Sequence, residues 1–180
     1  MPFNVYIGNI APLDDDTMTN VNTVLQGYFT RISNHSNAFG NIRVVTTASA
    51  LTTSDLLCYL VQDFMNSVVV SFDNQINNQS AGNTAFRAHP STAASEVYIG
   101  SINEFGAGRP IAIANLIFHE LMHNKGTIGP RLHLVGGGGL AAEVVTSAST
   151  LNDDNITFMR ARMGRNVRQW TEGFEANNWG

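Results

Sequence analysis

Runs of hydrophobic residues divide the first two thirds of the chain into short elements. Residues 4–10 alternate between apolar and polar and are rich in β-formers, which is typical of a strand. Apolar residues at helical spacing, preceded by the acidic residues 14–16 that suit a helix N-terminus, predict a helix over 17–32. Similar patterns predict further strands at residues 41–47, 56–61, 68–72, 85–89 and 96–102.

The last third of the chain has mainly helical patterns. Before it, residues 73–83 are dense in Asn, Gln, Ser and Gly, which predicts an exposed loop, and residues 105–110 contain a turn with two glycines. Helices are predicted at residues 111–125, 140–148 and 153–163. Strands and helices followed by a helical remainder predict an α/β (α+β) fold.

The chain shows no linker and no internal repeat. Its 180 residues suit a single domain with a substantial core. We therefore expect one domain over residues 1–180. The sheet and the main helix should lie in residues 1–126, and a small, mainly helical subdomain should follow in residues 127–180.

Composition and charge exclude several classes of function. Hydrophobic residues make up 43% of the chain and charged residues 13%, which is typical of a globular protein. The net charge of -4 argues against general binding to nucleic acid or to an anionic membrane, because neither is attracted to an acidic surface. Cys58 is the only cysteine, so no intrachain disulfide can form.

The N-terminal sequence gives an expectation about location. It lacks the positive region and the long apolar region of a signal peptide, and no stretch is long enough to span a bilayer. We expect a cytoplasmic location or export by a route that needs no leader. Lys125 is the only lysine, which base composition explains most simply; the weaker alternative is a toxin or effector protease that avoids lysine-directed modification. The sequence does not indicate an oligomeric state.

The predicted helix at 111–125 contains two histidines and a glutamate, and Gly126 suits the position just after its end. His119 and His123 are four residues apart, so their rings project from one helix face, one turn apart. Two imidazoles at that spacing can bind one zinc ion. Glu120, beside the first histidine, can accept a proton from a water on that metal.

An ordinary surface helix is the alternative interpretation of these three polar residues. Apolar residues cover most of the helix circumference, namely Ile111, Ile113, Leu116, Ile117, Phe118, Leu121 and Met122. The helix should therefore be largely buried. Two histidines and a carboxylate are unfavourable in such surroundings unless they are paired or bind a metal, so the pattern favours a metal site.

The sequence from His119 to His123 matches the HExxH motif of the zincin metallopeptidases, and Gly126 extends the match to HExxHxxG, which resembles the start of the metzincin signature. The order of strands and helices before the motif is similar to a zincin N-terminal subdomain. The resemblance implies a twisted mixed sheet, a backing helix and an active-site helix. It also implies a peptide substrate that lies extended along an edge strand, for which residues 85–89 and 96–102 are candidates.

The third metal ligand is where the sequence departs from the family patterns. A metzincin carries its third histidine at the position of Gly129, and the next histidine here is His133. Glu143 lies twenty residues after His123, a separation similar to that in the gluzincin branch. However, Ser147 stands where many gluzincins carry a supporting aspartate. We favour His133 as the third ligand, with Glu143 as the alternative.

Together these residues predict a zinc-dependent endopeptidase. His119, His123 and His133 would bind Zn²⁺, and Glu120 would act as general base toward a water that the metal activates. The expected partner is a protein or peptide substrate, with no nucleic acid and no membrane. The alternative function is a non-catalytic zinc-binding module with a zincin-like fold.

Overall fold

The computed structural model describes residues 3–11, 13–34, 42–47, 56–67, 81–89, 92–126 and 128–163. Within these residues the chain forms five strands and four helices. The strands are β1 (Phe3–Asn9), β2 (Ile42–Val45), β3 (Leu56–Val61), β4 (Gly82–His89) and β5 (Thr92–Tyr98). The helices are α1 (Asp15–Asn34), α2 (Gly108–Gly126), α3 (Leu132–Val135) and α4 (Asp153–Met163). The fold is mixed α/β, as the hydrophobic pattern predicts.

The strands form one mixed sheet in the order β2-β1-β3-β5-β4. β1 is parallel to β2 and β3, and β3 is parallel to β5, with Cys58 opposite Ser95. β4 runs antiparallel to β5, with Thr84 opposite the same serine. Among the described strands, β4 is therefore at an edge of the sheet and β5 is in its interior.

The two long helices pack against each other and against the sheet. The side chain of Asp14 accepts a hydrogen bond of 2.8 Å from the backbone N–H of Thr17, which satisfies one free donor at the start of α1. The buried stripe of α1 recurs every three or four residues, at Val21, Leu25, Phe29 and Ile32. Residues 112–122 of α2 are all buried, so this helix lies at the centre of the fold.

The chain after α2 packs against that helix. One hydrophobic cluster joins core residues of the sheet and of α1 and α2 to residues of the C-terminal part. The C-terminal members are Ile128, Leu132, Leu140, Ala141, Leu151, Ile156, Phe158, Met159 and Met163. This packing holds residues 128–163 beside the histidines of α2.

Most predicted elements lie where the sequence placed them, with ends shifted by a few residues. The strand at 56–61 and the helix at 153–163 have the predicted ends. The strand predicted at 96–102 ends earlier, at Tyr98, because a short 3₁₀ turn follows it. The strand predicted at 68–72 and most of the loop predicted at 73–83 lie outside the described residues, but Gly82 and Asn83 already belong to β4.

The prediction of a helix at residues 140–148 is wrong. Residues Gly139–Ala141 form a 3₁₀ turn, and bends and turns follow it. The amide of Asn115 donates to the carbonyls of Thr146 and Ser149 at 2.8 and 2.9 Å, and the hydroxyl of Ser149 accepts from the backbone N–H of Thr146 at 3.0 Å. These side chains satisfy backbone groups that a helix would otherwise pair, so the segment keeps an irregular path.

Candidate metal centre

His119 and His123 lie on α2, one turn apart, as the spacing predicts. The helix ends at Gly126, where a Cβ atom would lie 2.8 Å from the ring of Phe158 and 2.8 Å from the side chain of Ile128. A side chain here would therefore separate the helix end from the segment that follows. The backbone N–H of Ile128 then donates to the carbonyl of His123 at 3.2 Å, which turns the chain back beside the two rings.

Two backbone carbonyls orient these rings. The Nδ1 atom of His119 lies 2.8 Å from the carbonyl oxygen of Leu140, and the Nδ1 atom of His123 lies 2.8 Å from that of Ile128. Because a carbonyl oxygen can only accept, each Nδ1 carries the proton, and in the neutral ring Nε2 then carries a lone pair. The two Nε2 atoms face each other at 3.1 Å.

His133 lies on the short helix α3 and completes a triangle with the other two histidines. Its ring centroid is 5.4 Å from that of His119 and 5.4 Å from that of His123, which are 4.7 Å apart. One ring nitrogen from each histidine lies within 4.8 Å of the others. The Nε2 atom of His133 is buried and has no hydrogen-bond partner among the described residues.

This arrangement fits a metal ion. In a tetrahedral site with metal–nitrogen distances of about 2.0–2.1 Å, two ligand nitrogens lie about 3.3 Å apart, close to the 3.1 Å between the Nε2 atoms of His119 and His123. Two facing lone pairs repel unless a proton or a cation lies between them. The unpartnered nitrogen of His133 needs the same kind of neighbour, because a buried polar atom without a partner is unfavourable.

Protonation of the rings is opposed by their surroundings. Burial, together with the smaller effect of the nearby His123 ring, lowers the pKa of His119 to about 3, although the bond to Leu140 opposes the shift. Burial also lowers the pKa of His123 to about 4, and it lowers the pKa of His133. The neutral rings that metal binding requires are thus the stable form at neutral pH.

Glu143, the alternative third ligand, does not belong to the group of three histidines. Its side chain is exposed, and the helix on which it was expected to lie does not form. Its charge nevertheless raises the pKa of His133, by less than burial lowers it. The structure thus brings together His119, His123 and His133, and it leaves Glu143 at the border of the group.

Glu120 is buried on the side of α2 that faces the edge strand. Its Oε2 atom accepts a hydrogen bond of 2.8 Å from the hydroxyl of Thr84 on β4. A Cβ atom at Gly82, two residues earlier on the same strand, would lie 2.7 Å from Oε1. The absence of a side chain at that position therefore makes room for the carboxylate. Burial raises the pKa of Glu120 to about 8, and the hydrogen bond from Thr84 opposes this shift.

A short polar network supports Glu120 between α2 and the sheet. The amide of Asn124 donates to the hydroxyl of Ser95 at 3.2 Å, and that hydroxyl lies 3.1 Å from the carbonyl oxygen of Glu120. Thr84 lies 2.9 Å from the same serine oxygen. If Ser95 donates to the Glu120 carbonyl, the proton of Thr84 is free for the carboxylate. Sequence reasoning missed Thr84 and Ser95, because neither belongs to a motif.

Comparison with protein-family models, curated proteins and solved structures found no match for this chain. Of the helices in the described part of the chain, none combines the length and the hydropathy needed to cross a membrane. The function is therefore inferred from the site itself, in which three histidines can hold a metal ion and a buried carboxylate lies next to one of them in the sequence.

Proposed function

We propose that this protein is a zinc-dependent endopeptidase, in which His119, His123 and His133 hold the metal and Glu120 is the general base. One observation carries the proposal. The Nε2 atoms of two buried rings face each other at 3.1 Å. The proton of each ring is on Nδ1, where it is donated to a backbone carbonyl. The third ring belongs to the same group, and its buried Nε2 atom has no hydrogen-bond partner among the described residues.

The donor set supports zinc as the metal. Three neutral imidazoles with a fourth position left for water are typical of catalytic zinc, whereas calcium and magnesium prefer oxygen ligands. The bonds from Nδ1 of His119 and His123 to backbone carbonyls are the outer contacts that orient histidine ligands in such sites. A zinc ion held there would supply a Lewis acid for a carbonyl oxygen and a water of lowered pKa.

Glu120 has the surroundings that proton transfer requires. Its carboxylate is shielded from solvent, and its position is fixed by Thr84 on one side and by the space at Gly82 on the other. A pKa raised to about 8, near the pH at which the reaction would run, suits a group that first takes a proton from the attacking water and then gives it to the leaving amine. In this proposal Glu120 performs both transfers.

The sheet suggests where an extended peptide would bind. Of the two candidate strands, β5 lies between β3 and β4, whereas β4 lies at the edge of the described sheet and contains Gly82 and Thr84, the two residues next to Glu120. An edge strand can pair with an added peptide through backbone hydrogen bonds. We therefore propose β4 as the substrate strand, within a zincin-like arrangement of sheet, α1 and α2.

The experiment combines metal analysis with peptide digestion. The purified chain should contain about one zinc per molecule and should cleave a mixed peptide library, with products identified by mass spectrometry. Glu120→Gln should keep the zinc and lose cleavage by orders of magnitude, because only the base is removed. If the wild-type chain binds zinc but cleaves nothing, the non-catalytic zinc-binding module is the better description. If Glu120→Gln cleaves as fast as wild type, the catalytic assignment is wrong.

A further inference from the structure

We propose that Asn155 is a positioning residue of the metal centre, which fixes the glycine loop 136–139 so that the carbonyl of Leu140 orients His119. The inference rests on the metal-binding part of the proposed function and does not depend on peptide cleavage. Asn155 lies in the first turn of α4, far along the chain from the motif helix, and its side chain is completely buried.

The side chain of Asn155 bonds to the loop through both of its polar atoms. Its Nδ2 atom donates to the carbonyls of Gly136 and Gly138, each at 2.8 Å. Its Oδ1 atom accepts from the backbone N–H of Leu140 at 2.9 Å and lies 3.4 Å from the backbone N–H of Asn152. Both amide protons are thus used, and this one buried side chain holds backbone groups of Gly136, Gly138 and Leu140, while the amide of Asn152 holds the carbonyl of Gly137 at 2.9 Å.

The loop needs such an external support. Gly137, Gly138 and Gly139 have φ angles of 81°, 67° and 57°, in the left-handed region that side chains rarely adopt. Glycines have little conformational preference of their own, so bonds to neighbouring residues must select this one path. The loop also fits tightly, because a Cβ atom at Gly139 would lie 2.7 Å from the Oδ1 atom of Asn155.

Leu140 links this support to the metal centre. Its N–H donates to Asn155, and its carbonyl accepts the proton on Nδ1 of His119 at 2.8 Å. Two hydrogen bonds on the two sides of one residue therefore connect the buried amide to the imidazole. The orientation of that ring, and the lone pair that Nε2 presents, depend on where this carbonyl lies.

The test measures zinc affinity by competition with a chelator and, separately, the visible spectrum of the Co²⁺-substituted protein. Removing an outer partner of a ligand histidine typically weakens metal binding about 10- to 100-fold. Asn155 holds that partner, the carbonyl of Leu140, so Asn155→Ala should weaken zinc binding by up to that factor and change the Co²⁺ spectrum. Asn115→Ala is the matched control. Asn115 is also fully buried and also donates to two backbone carbonyls, but those belong to Thr146 and Ser149.

The control variant should lose stability while keeping wild-type zinc affinity and the wild-type Co²⁺ spectrum. If Asn155→Ala does not fold, Asn155→Asp takes its place, since it keeps an acceptor for Leu140 but loses the donors to the loop; its zinc affinity should still fall severalfold. Unchanged affinity in the folded Asn155 variant, or an equal loss in Asn115→Ala, overturns the inference alone. A wild-type chain that takes up no zinc overturns the proposed function.

Discussion

The hydroxyl of Thr84 lies 2.8 Å from the Oε2 atom of Glu120, although the two residues are 36 positions apart in the sequence. It is also 2.9 Å from the carbonyl oxygen of Glu120 and 2.9 Å from the hydroxyl of Ser95. A hydroxyl has only one proton to donate. If Thr84 donates to the carboxylate of Glu120, Ser95 must donate to the carbonyl, and Ser95 in turn accepts from the amide of Asn124. The edge strand thus holds the proposed base in place.

Replacing Thr84 by Val should lower kcat about 10- to 100-fold, because a hydrogen bond to a charged group contributes about 1.5–3 kcal/mol. KM and zinc affinity should change little, since the hydroxyl bonds to Glu120 and Ser95 and to none of the three proposed ligand histidines. Steady-state kinetics on a cleaved peptide together with a zinc titration measure both effects. Thr84→Ser keeps the hydroxyl and should restore most of kcat. If Ser and Val behave alike, the hydrogen bond has no part in the reaction.

Gly82 should tolerate no side chain. A Cβ atom there would lie 2.7 Å from Oε1 and 2.8 Å from Cγ of Glu120, so Gly82→Ala must displace the carboxylate or the strand. A displacement near 1 Å can slow a reaction about 100-fold, so kcat should fall by about 10- to 100-fold while zinc stays bound. Peptide cleavage and metal content, measured on the same preparation, test this expectation.

Gly27 provides the matched control for that substitution. It lies on α1, and a Cβ atom there would meet nothing within 4 Å. Gly27→Ala should leave kcat unchanged and raise the free energy of unfolding by about 1 kcal/mol, because alanine favours the helix. Equal activity of the two alanine variants would show that the space at Gly82 is not needed for the position of Glu120.

Glu120 should also give the metal-free protein a characteristic dependence of stability on pH. Burial raises the pKa of this carboxyl from 4.5 to about 8. The unfolded chain then loses the proton at a lower pH than the folded chain, so the stability that the protonated group provides is complete below pH 4.5 and is lost as the pH rises to about 8.

Urea unfolding of wild type and of Glu120→Gln, both with a chelator present, measures this effect. The histidines titrate in both proteins and largely cancel in the comparison, whereas Gln has no proton to lose. Between about pH 5 and about pH 8, the free energy of unfolding of wild type should therefore fall relative to that of Glu120→Gln. Above about pH 8 the difference between the two should stay constant. Parallel curves for the two proteins would contradict the raised pKa.

The helix that carries the HExxH motif was predictable because the residues that determine it lie within the helix or at its end. The apolar positions, the four-residue spacing of His119 and His123 and the glycine at its end are all local features, and the structure has the helix at Gly108–Gly126. The strands of the sheet were predictable for the same reason. In contrast, nothing local to Thr84 shows that its strand pairs antiparallel to β5 and lies against α2.

The path of the chain after α2 could not be predicted from periodicity. The pattern at 140–148 predicts a helix, but Leu140 lies in a 3₁₀ turn and its carbonyl contacts His119. Glu143 is similar to a gluzincin ligand only in its separation of twenty residues from His123, and that separation does not bring it into the group of three histidines. A tertiary hydrogen bond from Asn155 holds Leu140, and those from Asn115 hold Thr146 and Ser149 farther along the chain. Such bonds leave no periodic signal in the sequence.

The choice of third ligand is tested directly by His133→Ala and Glu143→Ala. The Nε2 atom of His133 is buried and has no hydrogen-bond partner in the described part of the chain, whereas Glu143 is exposed and outside the histidine group. His133→Ala should weaken zinc binding by orders of magnitude, because a tetrahedral site loses one of three protein ligands. Glu143→Ala should keep zinc within about threefold, since an exposed charge near a ligand is largely screened by solvent.

Competition with a chelator measures both affinities, and circular dichroism confirms that both variants are folded.

The metal-free forms provide a second comparison. Removing His133 removes a buried polar atom that has no partner among the described residues, so zinc-free His133→Ala should unfold at a temperature no lower than zinc-free wild type. Loss of zinc affinity together with unchanged stability of the zinc-free protein is expected for a side chain whose only partner is the metal. If Glu143→Ala loses zinc and His133→Ala keeps it, the metal is held by a different set of side chains from the three histidines.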